Sequence, residues 1–311
     1  MKYIGLQAQI RKNNTRSVLL LLAFPALLLG LTYLFFFLIS DFEETGLDAA
    51  NDGFLTTSPF IIIAVVIWFL IAWFSHNSMI RAATGSRPLE RKENKRVYNL
   101  VENLCISRGM TMPKVNVIED DSLNAFASGI DESSYTVTLS RGIINKLDDD
   151  ELKAVIAHEL SHILNRDVRL LIISIIFVGI FAFLSEMAFR SIRFGGRKKG
   201  KAGQAIIIIM VLASIGYLLS TLFRFAISRK REYLADAGAV EMTKNAAAMA
   251  SALRKVSEDP RIEAVKRHDV AQMFIENPSD AEEEKGFFSA IQGLFATHPP
   301  IKDRIAVLEQ F

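Results

Sequence analysis

The longest apolar run of the chain extends from Ser17 to Ile39. At about 1.5 Å per helical residue, this run is long enough to cross the roughly 30 Å of bilayer hydrocarbon as one helix. Hydrophobic residues make up 50% of the chain, but 23% of its residues are charged, so membrane and aqueous portions must coexist. A cleaved signal peptide would have a shorter apolar region followed by a small-residue cleavage site. The run therefore predicts a retained membrane anchor.

A second apolar run, Phe60 to Phe74, is long enough to span the bilayer only if flanking residues up to Ile80 are included. Residues 41–58 hold five acidic residues and no basic one, and we expect them to form an outward-facing loop. Basic residues occur before the first run and after the second: Lys2, Arg11, Lys12, Arg16, Arg81, Arg87, Arg91, Lys92 and Lys95. Because Lys and Arg favour the cytoplasmic side, the N-terminus and the chain after residue 80 are predicted to be cytoplasmic.

Two further apolar runs, Leu170 to Ser185 and Ala205 to Phe223, predict a membrane-associated helical hairpin at about residues 168–227. Residues 190–204, which connect the two runs, contain six basic residues and no acidic one. A basic tip conflicts with a hairpin that crosses the membrane and turns outside. Either the hairpin spans despite this charge, or it packs in the bilayer or on the protein with its tip at an anionic cytoplasmic lipid surface.

Several kinds of partner are disfavoured by the sequence. Gly195 to Lys201 reads G-x-x-x-x-G-K, but Ala202 stands where a magnesium-binding hydroxyl is needed and no strand precedes the motif, so no nucleotide site is expected. The net charge of +2 gives no reason to expect an acidic partner such as nucleic acid. The single cysteine, Cys105, excludes an intramolecular disulfide and a thiolate zinc cluster.

Residues 81–311 also contain the pattern of a small aqueous domain, which the hairpin interrupts. Pro88 to Arg108 has the periodicity of an amphipathic helix, and Gly109 follows as a C-cap. Val115 to Ile118 and Tyr135 to Leu139 are rich in β-branched residues and are predicted to be strands. Between them, Asn124 to Gly129 is predicted to be a loop of small residues.

A His-Glu-x-x-His motif at residues 158–162 lies in a helical, mostly apolar pattern. Asp148 and Glu151 form a capping-box arrangement that would open this helix. Residues four apart share one helix face, so His158 and His162 can present two imidazoles to one ion while Glu159 stands beside them. The motif indicates a zinc hydrolase, although five residues alone are not decisive.

A catalytic zinc commonly takes three protein ligands and leaves one position for water. We expect the third ligand to be an acidic residue on a later helix, and Glu232 in Glu-x-x-x-Asp fits this requirement. Asp236 lies one turn further on the same face and could accept the free N–H of a ligating imidazole. The alternative is that Glu232, beside Arg229 and Arg231, is a solvated helix charge.

Four motifs in order resemble the M48 membrane metallopeptidases, most closely the HtpX-like branch. They cover residues from about 90 to 311, and the two-span anchor at residues 1–80 also fits. The motifs are His158 to His162, Glu232 to Asp236, Asn124 to Ala127, and Thr297 to Pro300 with Arg304. The resemblance implies an α-helical membrane protein with an α+β, gluzincin-type zinc metallopeptidase domain. In such a domain, which is mostly helical, a small β-sheet lies beside the active-site helix.

The resemblance also implies roles for residues outside the ligand set. Asn124 and the following edge segment, Ala125 and Phe126, would receive the substrate backbone. His298 and Arg304 would help to hold the active site and the developing oxyanion, with Arg304 counted among the substrate-binding residues. The expected activity is ATP-independent cleavage of damaged or misassembled membrane proteins at the cytoplasmic face of a bacterial inner membrane.

Chemistry and resemblance agree on a zinc endopeptidase with one ion per chain, in which Glu159 acts as the general base. Two alternatives remain open. The chain could be a dedicated processing protease for one or a few substrates, or a membrane adaptor whose zinc only stabilises the fold. A structural site would need a fourth ligand, and none is evident once His298 is assigned to the oxyanion.

Overall fold

The computed structural model describes residues 6–40, 46–194, 201–225, 229–257 and 299–310. The described residues form two compact units. One draws on Met1–Asn14, Ser75–Ile172 and Ile227–Phe311, and we call it the catalytic unit. The other draws on Thr15–Phe74 and Ile173–Ala226, and we call it the apolar unit.

Four long helices supply the apolar unit: α1 (Leu6–Ile39), α2 (Gly46–Thr84), α6 (Asp167–Phe194) and α7 (Lys201–Phe225). Within the described residues, three segments are long and apolar enough to cross a membrane: Ile10–Ile39, Gly46–Thr84 and Asp167–Met187. The apolar part of α7, Gly203–Leu219, is shorter. Stacked rings of Phe24 and Phe177, with centroids 4.5 Å apart, contribute to the packing inside this unit.

Helix α2 corrects the part of the expected loop at residues 41–58 that the structure describes, residues 46–58. The helix begins at Gly46, with Asp48 in its first turn, and runs through Pro59 without ending. An acidic residue in the first turn favours a helix N-terminus, because it opposes the positive end of the helix dipole. Residues 46–58 therefore belong to the same helix as the second apolar run, and residues 41–45 lie outside the described residues.

Among its described residues, the catalytic unit contains six helices besides the ends of the long ones: α3 (Lys95–Arg108), α4 (Arg141–Lys146), α5 (Asp149–Asn165), α8 (Arg229–Thr243), α9 (Ala246–Val256) and α10 (Ile301–Leu308). Helix α3 begins later than the predicted Pro88, because the Asn94 side chain accepts a hydrogen bond from the Val97 amide and caps the helix. Gly109 ends it in the left-handed conformation, as predicted.

A mixed four-stranded sheet has the order β1-β2-β4-β3. The strands are β1 (Arg87–Pro88), β2 (Lys114–Ile118), β3 (Ala125–Ser128) and β4 (Thr136–Ser140). Strand β4 pairs in parallel with β2 and antiparallel with β3. Among the described residues, no strand pairs with the other side of β3, so β3 is an edge strand.

Strand β3 corrects the loop expected at residues 124–129. Its four residues are small or aromatic and all buried, so the sequence shows none of the polar alternation of a half-exposed strand. The strand forms because it pairs with β4 on one side and packs on α5. The sheet thus lies beside the helix that carries the His-Glu-x-x-His motif.

The start of α5 is fixed by the capping box that the sequence predicts. The Glu151 amide donates to Asp148 Oδ1 at 2.9 Å, and the Asp148 amide donates to Glu151 Oε2 at 3.0 Å. Glu151 is only 4% exposed and also accepts from Ser251 Oγ and Lys255 Nζ on α9, each at 2.7 Å. One carboxylate therefore caps α5 and connects it to α9.

Replacing Glu151 with alanine is expected to lower the free energy of opening of α5 by about 1–3 kcal/mol, because one cap is lost and buried donors lose their acceptor. Glu151→Gln keeps the capping oxygen and should lose less. Amide hydrogen exchange of α5 in detergent measures this free energy. Equal protection in wild type and Glu151→Ala would contradict the structural role of this carboxylate.

Candidate metal centre

Helices α5 and α8 bring three candidate ligands together in the catalytic unit. His158 and His162 lie on one face of α5, and their Nε2 atoms are 3.1 Å apart. Glu232 of α8 places Oε2 3.6 Å from His158 Nε2 and Oε1 3.7 Å from His162 Nε2. One donor atom from each of the three residues lies within 4.8 Å of the others. The histidines of α5 and the glutamate of α8, which are far apart in the sequence, therefore lie together in the structure.

The spacing of these donors fits a zinc ion. Two nitrogens bound at about 2.0–2.1 Å with tetrahedral angles lie about 3.3 Å apart, close to the observed separation of the imidazoles. The donors are two imidazole nitrogens and a carboxylate oxygen, the set that catalytic zinc sites use. His158 is 0% exposed, Glu232 1% and His162 9%, so the cluster is shielded from bulk water.

Formal charge supports a divalent cation. In the described part of the chain, the cluster and its immediate surroundings contain four buried carboxylates and two buried guanidinium groups: Glu159, Asp167, Glu232, Asp236, Arg231 and Arg304. With neutral imidazoles, as metal ligation requires, these groups leave two negative charges. Buried charge is costly unless it is compensated, and one divalent cation compensates it.

Asp236 lies behind His158, where the sequence predicts a supporting carboxylate. Its Oδ1 is 2.9 Å from His158 Nδ1, the ring nitrogen that faces away from the cluster. Arg304 of α10 donates two hydrogen bonds to the same carboxylate, from Nε at 2.9 Å and from Nη2 at 2.7 Å. Burial raises the pKa of Asp236, but Arg304 outweighs this effect and the pKa falls to about 2. Asp236 is thus a fixed anion.

Asp167 occupies the corresponding place behind His162, and the sequence reasoning did not identify it. Both of its carboxylate oxygens are 3.2 Å from His162 Nδ1, and the residue is 1% exposed. Five positions separate Asp167 from His162, which is not a same-face spacing on one helix. The contact exists because Arg166 ends α5 in the left-handed conformation and the chain turns into α6.

Removing the Asp167 carboxylate by Asp167→Ala is expected to weaken zinc binding about 10–100-fold, because the orientation of His162 is no longer fixed. Titration with a competing chelator measures this change. Asp150→Ala provides the control, since Asp150 is an exposed residue that likewise lies in the first turn of a helix. A similar zinc affinity in both variants would show that Asp167 does not orient His162.

Glu159 is 2% exposed and lies on the same helix as the two histidines. Burial raises the pKa of its carboxyl, while both histidines and the Ala127 amide, which donates to the carboxylate, oppose this rise. A carboxylate with a raised pKa is a better proton acceptor near neutral pH. The geometry therefore suits the predicted general base.

The alternative that Glu232 is a solvated helix charge is wrong, because Glu232 is only 1% exposed. Arg231 is 7% exposed, and its Nε lies 3.5 Å from Glu232 Oε1. Arg304 Nη1 lies 3.7 Å from the other oxygen, Glu232 Oε2. The carboxylate of Glu232 therefore lies between two guanidinium groups. The sequence carries no signal of this burial, because Arg231 and Glu232 lie in one charged stretch with Arg229, and such a stretch is typical of an exposed helix face.

The predicted substrate-binding residues divide into different groups. The Ser140 amide donates a hydrogen bond to the Asn124 carbonyl, so the backbone groups of Asn124 point toward β4. Because backbone groups alternate in direction along a strand, those of Phe126 also point toward β4, and those of Ala125 and Ala127 point toward the outer edge of β3. Arg304 is 0% exposed and donates to Asp236, which fits its expected part in holding the active site, while its expected contact with substrate stays a prediction. His298 lies outside the described residues, as do Thr297 and most of the G-x-x-x-x-G-K segment.

Comparison with known proteins gives a family match. Residues 91–311 match the model of peptidase family M48. A protein named Protease HtpX homolog from Bacteroides fragilis is 58% identical, with all of both chains covered. Proteins of the same name from Dictyoglomus turgidum and Lactobacillus helveticus are 37% and 33% identical, over 78% and 98% of this chain and 80% and 99% of their own. The crystal structure of S. mikatae Ste24p aligns with a TM-score of 0.46 at 19% identity, over 90% of this chain and 61% of that chain.

Proposed function

Since this chain belongs to peptidase family M48 and is a membrane metalloprotease, we propose that it hydrolyses peptide bonds at a zinc ion held by His158, His162 and Glu232. The observation that carries the proposal is the convergence of three buried donors within 4.8 Å, on helices that the sequence keeps far apart. Asp236 and Asp167 hold the two imidazoles from behind. The ligands are therefore oriented before a metal binds.

A zinc ion held by these three residues would act as a Lewis acid: it would lower the pKa of its bound water toward about 7 and polarise the substrate carbonyl. Glu159 takes a proton from the attacking water at its carboxylate and then returns it to the leaving amine. Its burial keeps other water away from that proton. His298 is proposed, from the motif alone, to donate a hydrogen bond to the oxyanion.

An extended substrate is proposed to pair with the outer edge of β3. Ala125 and Ala127 direct their backbone groups to that edge, while Asn124 Oδ1 accepts from the Ala125 amide at 2.9 Å. The carbonyls of the two alanines are then the acceptors for substrate amides. Because every β3 residue is less than 5% exposed, the edge must be uncovered before a substrate binds there. Recognition through backbone groups gives broad side-chain specificity.

We propose that the substrates are damaged or misassembled proteins of the bacterial inner membrane, cleaved without ATP on the cytoplasmic side. Three apolar helices long enough to span a membrane support a membrane location. The orientation is supported by basic residues before the apolar part of α1 and after the apolar part of α2, with none between them. Recognition of the substrate backbone suits an enzyme that cleaves many different proteins better than one that cleaves a single substrate.

Zinc content and protease activity, measured together on detergent-solubilised protein, test the function. We expect one zinc ion per chain, loss of casein hydrolysis after chelation, and recovery on adding zinc back. Hydrolysis that persists in the metal-free protein would refute metal-dependent catalysis by this site. Bound zinc without any hydrolysis, at every substrate concentration, would favour the adaptor alternative.

A comparison of membrane-protein fragments in cells that carry the active chain or Glu159→Ala tests the biological role. Quality control predicts many substrates, and more of them when membrane proteins are damaged. One dominant substrate, unchanged by such damage, would instead identify a dedicated processing protease.

A further inference from the structure

Helices α5 and α8 approach closely at Ser161 and Gly238. A Cβ atom placed on Gly238 would lie 2.5 Å from Ser161 Oγ and 3.0 Å from Ser161 Cβ. Real Cβ atoms essentially never approach a neighbour as closely as 2.5 Å. Gly238 lies inside α8 and needs no unusual backbone angle, so its lack of a side chain serves the approach rather than a turn. The two helices can be this close only with glycine here.

Ser161 is itself held in place. It is 3% exposed, and its hydroxyl donates to the Ala157 carbonyl of the previous turn at 2.8 Å. Rotation of the hydroxyl could relieve the contact with a new methyl group at Gly238, but the Cβ of Ser161 cannot move without the helix backbone. Alanine at position 238 would therefore push α8 away from α5 by some tenths of an ångström.

This contact lies between the parts of the metal centre. Ser161 stands immediately before His162 on α5, and Gly238 follows Asp236 by two residues on α8. The distances that join the helices at the site are short: 2.9 Å from His158 to Asp236, and 3.6 and 3.7 Å from the two imidazoles to Glu232. In a well-formed site, metal–ligand distances lie within about 0.2 Å of their standard values. A shift of α8 therefore changes the site directly.

We infer that Gly238 and Ser161 are positioning residues, a pair whose small size sets the spacing of α5 and α8 and thereby the separation of the metal ligands. This inference rests on the proposed zinc site. It adds that the strength of zinc binding is controlled by a contact that touches neither the metal nor the substrate.

The test compares Gly238→Ala with the double variant Gly238→Ala/Ser161→Gly, which removes both Ser161 atoms that the new methyl group meets. We expect Gly238→Ala to bind zinc at least 10-fold more weakly. The double variant should return to within about threefold of Ser161→Gly alone. Visible absorption of the cobalt-substituted protein should change in Gly238→Ala and revert in the double variant, since this spectrum reports coordination geometry rather than stability.

Gly30→Ala is the matched control, because a Cβ on Gly30 in helix α1 would meet no atom within 4 Å. Its zinc affinity should equal that of wild type. If wild type binds zinc and Gly238→Ala binds it equally well, the inference fails and the proposed function stands. If wild type binds no zinc, the proposed function fails, and thermal midpoints of the same variants in metal-free protein still decide whether the two positions are coupled. Additive effects there would overturn the inference.

Discussion

Glu159→Gln is expected to lower kcat for peptide hydrolysis about 10²–10⁴-fold while the protein still binds one zinc ion per chain. Glutamine has nearly the same shape but cannot take a proton from the attacking water. Glu159 is not one of the three converging donors, so the affinity for zinc should change little. Activity with a peptide substrate and zinc content of the same preparation measure both effects.

Glu241→Gln provides the control for this substitution. Glu241 is an acidic residue of α8 that pairs at the surface with Arg108 at a distance of 2.9 Å. This variant should keep the activity of wild type. If Glu159→Gln remained fully active, the assignment of the general base would be wrong, whereas loss of zinc in this variant would mean that Glu159 also holds the metal site together.

Arg304→Gln is expected to destabilise the catalytic unit by about 3–5 kcal/mol, because it leaves the buried Asp236 carboxylate without its bidentate partner. The pKa of Asp236, now held at about 2, should rise toward the value that burial favours. Zinc affinity should fall as well, since His158 loses a fixed anion behind its ring. Thermal unfolding in detergent and hydrogen exchange of α8 measure the first effect, and zinc titration measures the second.

Arg254→Gln is the matched control for Arg304→Gln. Arg254 of α9 also pairs with an acidic residue, Glu309, but the side chains of this pair are 52% and 55% exposed. An exposed pair contributes at most about 1 kcal/mol, so this variant should unfold almost as wild type does. If the two arginine variants were equally stable, the pairing of Arg304 with Asp236 would not hold the site.

Local patterns predicted the parts of the site that one helix can specify. The two histidines share a face because they are four residues apart, and the capping box of Asp148 and Glu151 fixes where that helix begins. Glu232 and Asp236 were found because their spacing matches the chemistry that a catalytic zinc requires. The β-branched runs similarly predicted β2 and β4.

Contacts that depend on tertiary packing were not predictable from the sequence. Asp167 reaches His162 only because the chain reverses at Arg166 between two helices. Arg231 is buried because other residues pack around it, although its side chain is charged. The sequence also did not indicate that Arg304 pairs with Asp236, which lies 68 positions earlier in the chain. Strand β3 was missed because small buried residues carry no alternating pattern.

The order of the proposed metal ligands along the chain also determines when each of them is synthesised. At about 5–20 residues per second, a ribosome needs roughly 4–14 s to proceed from His162 to Glu232, and as long again to proceed from Asp236 to Arg304. Helices α6 and α7 lie between His162 and Glu232 and are therefore translated before Glu232. A nascent chain therefore carries two imidazoles without their carboxylate, and it gains hydrolytic power only after its apolar helices have been made.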